Sequence, residues 1–442
     1  MRFLVLGAGL QGYAAAHDLA RAEGVGEVVF ADVDPDRAEA AAARLRALPE
    51  CRAAVRAERL DVSNEPRLAD RLRGYDVVIS AVPYFLNLQL TRAAIEARVS
   101  FCDLGGNTDL VREQERLDPE AKAAGVTIVP DCGLAPGMAN VLAAAAIARL
   151  DKADAVHIRV GGLPLKPKPP LDYMMVFSMH GLLNEYLGIA TVLRNGKRAD
   201  VETLTEVEDL EFPKPVGRCE AFVTLGGTST MPWTYEGKLK TLDYKTVRYP
   251  GHAAKLRTMR DLGLFEKTPV VVDGVSVAPR SVFAAAAEPR LTHPGEPDVV
   301  VMRVVVEGTR DGKRRRITFD MLDRMDVKRG ITAMMRTTAY PTSATALMIA
   351  RGEVPFRGVA AMERALPAED FVRELKRHDL KIRETDTAAG GTGAARKPAA
   401  KRKPAAKPKR KATKKAARRA APRGRATAAS GRARKPAGRK RR

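Results

Sequence analysis

Met1-Arg-Phe-Leu-Val-Leu6 runs straight into Gly7-Ala-Gly-Leu-Gln-Gly12. A short apolar strand followed by a G-x-G-x-x-G turn is a dinucleotide fingerprint. The first glycine permits the tight turn, the second lets the backbone approach a pyrophosphate, and the third lets the next helix pack on the strand. The helix expected from Tyr13 to about Glu23 would aim its N-terminal N–H groups and positive dipole end at the phosphates. A second strand, Glu27-Val-Val-Phe-Ala-Asp32, ends in a carboxylate twenty positions beyond Gly12. An acidic side chain there accepts from the ribose 2′-OH and repels a 2′-phosphate, which selects NAD over NADP. Gly7, Ala8, Gly9, Leu10, Gln11 and Gly12 are therefore expected to line the cofactor, together with Asp32 and Val33. Asp34-Pro-Asp-Arg37 reads as a helix N-cap with Pro at its first position.

Strand and helix signals alternate through residue 130. Val55–Val62, Asp76–Val82, Ser100–Leu104 and Val126–Val129 read as strands three to six, with helical stretches at Leu86–Ala97 and Leu117–Ala124. Six apolar strands with helical crossovers predict an α/β domain, a Rossmann-type doubly wound parallel sheet over 1–130. Ligands bind beyond the C-terminal strand ends in such sheets. That rule adds Asp61, Val62, Ala81, Val82, Pro83 and Gly106 to the cofactor loops, with Asn107 beside them.

After Pro130-Asp-Cys-Gly-Leu-Ala-Pro-Gly137 and an alanine-rich helix to about Leu150 the pattern changes. Ala155–Val160, Ala221–Leu225, Leu239–Tyr249, Val270–Val272, Val299–Glu307 and Arg316–Asp320 read as strands, and His180–Leu187 and His252–Leu262 as helices. Strands grouped this way predict an α+β domain with a mixed or antiparallel sheet over 131–332. Residues 333–384 return to helix, with a break or restart at Pro341 and a stop at Gly352.

The net charge of +23 is not spread over the chain. Residues 385–442 hold 22 Lys and Arg against one acidic residue, Asp386, while the other 384 residues hold 54 basic and 52 acidic groups. The 385–442 segment lacks aromatic residues and has few large aliphatics, which predicts a disordered basic tail suited to nucleic acid or another polyanion. No early stretch reads as a secretory leader and no apolar run reaches membrane-span length, so a cytoplasmic protein without membrane contact is expected. Cys51, Cys102, Cys132 and Cys219 form no C-x-x-C pair and the six histidines no helical H-x-x-x-H pair. Reduced core thiols and no metal site are expected.

The fingerprint, Ser80-Ala-Val-Pro-Tyr84, Gly133-Leu-Ala-Pro-Gly137 and Tyr244-Lys-Thr-Val-Arg-Tyr249 together resemble the saccharopine dehydrogenase (reductase-type) family. Asp131-Cys-Gly-Leu-Ala-Pro-Gly and Arg248-Tyr-Pro-Gly-His252 look closest to its lysine 6-dehydrogenase branch. The resemblance spans about residues 1–380. It implies an inserted α/β substrate domain, C-terminal helices packing back on the nucleotide domain, a homodimer, and NAD(P)-dependent oxidation of a carbon–nitrogen bond in an amino acid. It also implies that Tyr84, Asn107 and Arg248 meet the substrate. One position departs: Ala135 stands where saccharopine reductases usually carry Asp.

An amino-acid substrate brings a carboxylate, which suits a planar guanidinium fork. Strand alternation over Leu242–Tyr249 puts Tyr244, Thr246 and Arg248 on one face and Asp243, Lys245 and Val247 on the other. Arg248 and Lys245 therefore cannot serve one cleft in regular strand. Oxidation at C–N also needs the ammonium to lose its proton to a base. Asp103, Glu185 and His252 are the candidates, and the sequence does not choose among them. The expected reaction is oxidative deamination of the L-lysine ε-amine, with saccharopine or a related secondary amine as one alternative and a nucleic-acid-associated protein acting through its basic tail as another.

Overall fold

A computed structural model describes residues 1–388 apart from residue 177. Six strands follow in order: β1 (Arg2–Leu6), β2 (Glu27–Asp32), β3 (Ala54–Arg59), β4 (Val77–Ser80), β5 (Ser100–Asp103) and β6 (Thr127–Val129). They pair in parallel in the order β6-β5-β4-β1-β2-β3. β1, β2 and β4 to β6 are buried on both faces, as strands must be when crossover helices cover both sides of a sheet. The order reverses between β1 and β4, so the crevice for a dinucleotide opens there, at the C-terminal strand ends. Helix α1 (Leu10–Arg21) starts three residues before Tyr13, because the Tyr13 N–H already reaches Gly9 O at 2.9 Å.

A seventh strand, Gly358–Val359, extends this sheet in parallel beside β6. Two residues are too few to leave a periodic signal. The helix Ala333–Ala350 also packs on this half, and it runs unbroken through Pro341, contrary to the expected break. Contacts on either side hold it: Tyr340 Oη meets His17 Nδ1 of α1 at 2.9 Å, Ser343 meets Asp18, and Thr342 Oγ1 donates to Cys132 O at 2.8 Å. Tertiary packing thus outweighs the missing proline N–H.

The second sheet is mixed and nine-stranded. Its central strand, Lys152–Pro164, lies parallel to Thr241–Arg248 and antiparallel to Asp298–Arg310. The strands Ile189–Arg194, Lys197–Glu202 and Glu208–Phe212 and the helix Pro279–Leu291 were not apparent in the sequence pattern. Lys197–Glu202 is an exposed outer strand without apolar alternation. The signal it does carry is Asn195-Gly196, both at positive φ in the connecting turn. The strand Ile382–Ala388 pairs with Lys313–Arg324. Residues 385–388 therefore belong to the sheet rather than to a disordered tail, and Asp386 takes Arg310 at 2.7 Å and Arg315 at 2.9 Å. The remainder of the basic segment, 389–442, lies outside the described residues. No helix among the described residues is long and apolar enough to cross a membrane.

Candidate active site

The glycine turn sits at the switch between β1 and β4. Gly7 has φ +94°, and a Cβ there would stand 2.8 Å from Ala81 O; a Cβ on Gly12 would collide with the Gly7 carbonyl. A Cβ on Gly9 would meet nothing within 4 Å. Two glycines are thus needed for the turn itself, and the third faces open space at the start of α1, where a pyrophosphate fits. Asp32, 6 % exposed, accepts the Ala8 N–H at 2.7 Å and the Asp34 N–H at 3.0 Å. It fixes the turn as well as presenting an anion at the end of β2. Arg37 lies 3.8 Å from Asp32 and 3.5 Å from Asp34. Asp34 caps its helix through the Asp36 and Arg37 N–H groups, at 3.0 and 3.2 Å.

Leu10 and Val33 are exposed on the crevice rim. Ala81, Val82 and Pro83 follow β4, and Gly106 lies against the Tyr84 ring. Asp61 and Val62 lie beyond β3. The Asp61 carboxylate is held low by the Ser63 hydroxyl and N–H, at 2.6 and 3.0 Å, and Val62 O takes the Gln89 amide at 3.0 Å.

A cavity of about 700 Å³ continues from Gln11, Tyr84, Gly106 and Asn107 into the second sheet. Tyr244, Thr246 and Arg248 line it. The opposite strand face carries Asp243, bound to His157 and Arg159 at 3.0 and 2.7 Å, and Lys245, bound to Glu208 at 3.0 Å. Alternation thus separates Arg248 from Lys245. Asn107 Oδ1 caps the helix Thr108–Glu115 through the Leu110 N–H at 3.0 Å, which leaves its NH₂ for a ligand.

Arg248 is 3 % exposed. Its Nε–H donates to Tyr186 Oη at 3.1 Å, its Nη1 donates to Val247 O at 2.9 Å, and its guanidinium lies 5.0 Å over the Tyr173 ring. Nη2 stands 4.0 Å from Glu185 Oε2. Burial pushes the Glu185 carboxyl up to about 7, with Arg248 pulling the other way. A cavity-lining carboxyl with that pKa is suited to exchange a proton near neutral pH.

The other two proposed bases do not reach the cavity. His252 is 1 % exposed, with Nδ1 3.2 Å from Leu171 O and Nε2 3.0 Å from Tyr186 Oη. Burial and the Arg248 charge push it down to about 3, so it is neutral. Glu220 takes the Gly251 and Ala253 N–H groups at the start of the His252 helix, at 2.8 and 2.6 Å. Asp103 is fully buried beneath the β5 loop, accepting from Gly105 N–H at 2.7 Å, Asp131 N–H at 3.1 Å and the Gln114 amide at 2.8 Å. Burial raises its pKa, and its oxygens hold the loop rather than a substrate.

Two cavity residues were missed by sequence reasoning. Asp131 has φ +58°, accepts the Ser229 hydroxyl through Oδ2, and has no partner for Oδ1 among the described residues. Burial and the Asp103 charge hold its carboxyl well above the usual range. The Asp131-Cys-Gly motif contained it, but no pattern in the sequence showed its backbone folding inward. Arg280 lies near the start of the unanticipated helix Pro279–Leu291, whose sequence signal was Pro279 at the first position. The neighbouring Cys132 is fully buried, with Sγ–H directed to Val129 O at 3.1 Å, and burial pushes its thiol up.

Residues 3–129 match the saccharopine dehydrogenase NADP binding domain, and 133–380 the saccharopine dehydrogenase C-terminal domain. Carboxynorspermidine synthase of Vibrio cholerae is 25 % identical over 394 residues, covering 83 % of this chain and 93 % of that protein. Saccharopine dehydrogenase [NADP(+), L-glutamate-forming] of Saccharomyces cerevisiae is 26 % identical over 218 residues, 47 % of this chain and 48 % of that one. The solved structure of apo saccharopine dehydrogenase (L-Glu forming) from Saccharomyces cerevisiae superposes with a TM-score of 0.71 at 21 % identity, over 88 % of this chain and all of that one; this likeness shows the fold. With a fingerprint crevice in the first half and a titratable cavity in the second, the chain belongs to the saccharopine dehydrogenase family of nicotinamide-dependent oxidoreductases.

Proposed function

We propose that the chain oxidises a carbon–nitrogen bond of an amino acid with NAD, and that the ε-amine of L-lysine is the substrate. The observation that carries the amino-acid reading is the Arg248–Glu185 pair: a buried guanidinium 4.0 Å from a carboxyl pushed up to about 7, in a cavity adjoining the glycine turn. The choice of the ε-amine rests on the motifs Asp131-Cys-Gly-Leu-Ala-Pro-Gly137 and Arg248-Tyr-Pro-Gly-His252. Arg248 binds the substrate carboxylate and has no mobility to lose, since Tyr186 and Val247 already hold it. Glu185, ionised, takes the proton from the substrate ammonium and frees the nitrogen lone pair. The bound dinucleotide supplies the hydride acceptor. Water then adds to the resulting imine and ammonia leaves, so that one substrate ammonium, one water and one oxidised dinucleotide give an aldehyde, one ammonium ion, one reduced dinucleotide and a proton. The choice of NAD rests on Asp32 at the end of β2, where a 2′-phosphate would meet a carboxylate.

A second reading is a secondary amine formed from an amino acid, the class to which saccharopine and carboxynorspermidine belong. The 4.0 Å spacing favours it, because a base so close to the carboxylate anchor serves a nitrogen near that carboxylate. Ala135 on the cavity wall counts against saccharopine itself. A panel of L-lysine, saccharopine and carboxynorspermidine, each with NAD and NADP, followed by the absorbance of the reduced nicotinamide, tests both. Turnover of lysine with NAD supports the first reading, and turnover of the secondary amines alone supports the second. No turnover with any of the three contradicts both.

A further inference from the structure

A second guanidinium lies in the same cavity, and no step above uses it. Arg280 is 5 % exposed. Its Nη2 donates to His180 O at 2.9 Å and to Asn184 Oδ1 at 2.8 Å, both neutral acceptors. Its Nη1 has no partner among the described residues. The buried Arg159 is matched to carboxylates, Asp243 at 2.7 Å and Glu208, and the half-buried Arg336 is matched to Asp323 at 2.9 Å. Even Arg248 has Glu185. Arg280 forms no ion pair among the described residues, and burial without a counter-charge pushes its pKa down.

An uncompensated buried cation is strongly unfavourable unless an anion arrives to meet it. The surroundings of Arg280 are built rather than accidental. His180, Asn184 and Glu185 belong to one helix, Met179–Glu185, so the two guanidiniums are organised around the same short element. Lys267 adds a further cation on this wall. We propose that Arg280 is a second oxyanion seat of the cavity, its Nη1 taking a carboxylate or phosphate oxygen of a bound ligand. The oxyanion comes either from the phosphates of the dinucleotide or, where the substrate is a secondary amine of the second reading, from its second carboxylate, since L-lysine has only the one held by Arg248. This rests on the cavity being the substrate cavity, as proposed above.

The test uses the full chain, its Arg280→Gln and Arg280→Lys variants, and Arg248→Gln as the control. Calorimetric titrations are run with NAD, and with NAD saturating, with L-2-aminoadipate (two carboxylates) and L-norleucine (one). Losing a charge-assisted contact should weaken the affected ligand about 10- to 100-fold. If the substrate supplies the oxyanion, Arg280→Gln weakens aminoadipate and leaves norleucine and NAD unchanged. If the dinucleotide supplies it, NAD weakens and the ratio of the two amino acids stays constant. Arg280→Lys should fall between wild type and Gln. Without ligand, Arg280→Gln should melt no lower than wild type, since an unmatched charge has been removed. Unchanged affinities for all three ligands, or a uniform loss together with a lower Tm, would overturn the proposal. Failure of Arg248→Gln to weaken norleucine would instead overturn the reading of the cavity, whatever Arg280 does.

Discussion

Tyr186 and Arg248 are joined by a 3.1 Å hydrogen bond in which the guanidinium Nε–H donates to the phenolic oxygen. The phenolic proton is thereby directed to His252 Nε2, 3.0 Å away, and His252 Nδ1–H to Leu171 O at 3.2 Å. The three side chains form one chain of bonds ending on backbone, and its product is the orientation of Arg248. His252 is a positioning residue two bonds removed from the cavity.

Replacing His252→Leu should therefore leave the buried Tyr186 hydroxyl without an acceptor, at a cost of about 1–3 kcal/mol in stability. The Michaelis constant for the amino acid should rise as Arg248 loosens, while the pH dependence of kcat/KM keeps its shape. Steady-state kinetics across pH check this. Disappearance of the limb near neutrality in the variant would make His252 the base.

As the proposed base, Glu185 should supply the pH dependence of turnover. The base is its ionised form, so kcat/KM should rise with pH through about 7 and level off above it. Glu185→Gln should flatten that limb and lower kcat by roughly 10²- to 10⁴-fold. Stability moves the opposite way. The folded carboxyl holds its proton up to about 7 against an ordinary 4.5, so stability falls as pH rises between those values. Chemical denaturation of wild type and Glu185→Gln at pH 5 and 8 should show the wild type losing ground and the variant losing less.

Cofactor choice turns on Asp32 against Arg37. Asp32→Ser with Val33→Arg should relax the preference toward NADP and weaken NAD by about 10- to 150-fold, the value of a carboxylate hydrogen bond of roughly 1.5–3 kcal/mol. Because Asp32 also holds the Ala8 N–H, Asp32→Asn is the companion variant that keeps an acceptor for the turn. A wild type that already favours NADP would overturn the choice of NAD.

How far the sequence reached is clearest at these positions. The glycine turn, Asp32 and the division of Arg248 from Lys245 follow from local spacing, and spacing survives folding. Glu185, His252 and Asp103 were equal candidates because burial separates them, and burial is a property of the assembled halves. Arg280 was out of reach for the same reason: its environment is made by a helix about a hundred residues away in sequence. Pro341 shows the reverse case, a strong local signal overridden by packing on α1.

The basic segment beyond residue 388 should bind duplex DNA or another polyanion without sequence preference. With about six phosphates contacted, the log–log dependence on salt should have a slope of roughly −5. Titration of labelled duplex at several salt concentrations compares the full chain with one ending at Ala388. The shorter chain should lose binding and keep its dehydrogenase activity; equal binding by both would place the polyanion site in the body.

The most direct test of the whole account is Arg248→Lys, with the Michaelis constant for the amino acid and the dissociation constant for NAD measured on the same preparation. The charge remains, but the fork held by Tyr186 and Val247 is lost. The account predicts a Michaelis constant raised about 10- to 100-fold with NAD binding unchanged. Kinetics indistinguishable from wild type would mean that this guanidinium does not hold the substrate and that the cavity around it is not the active site.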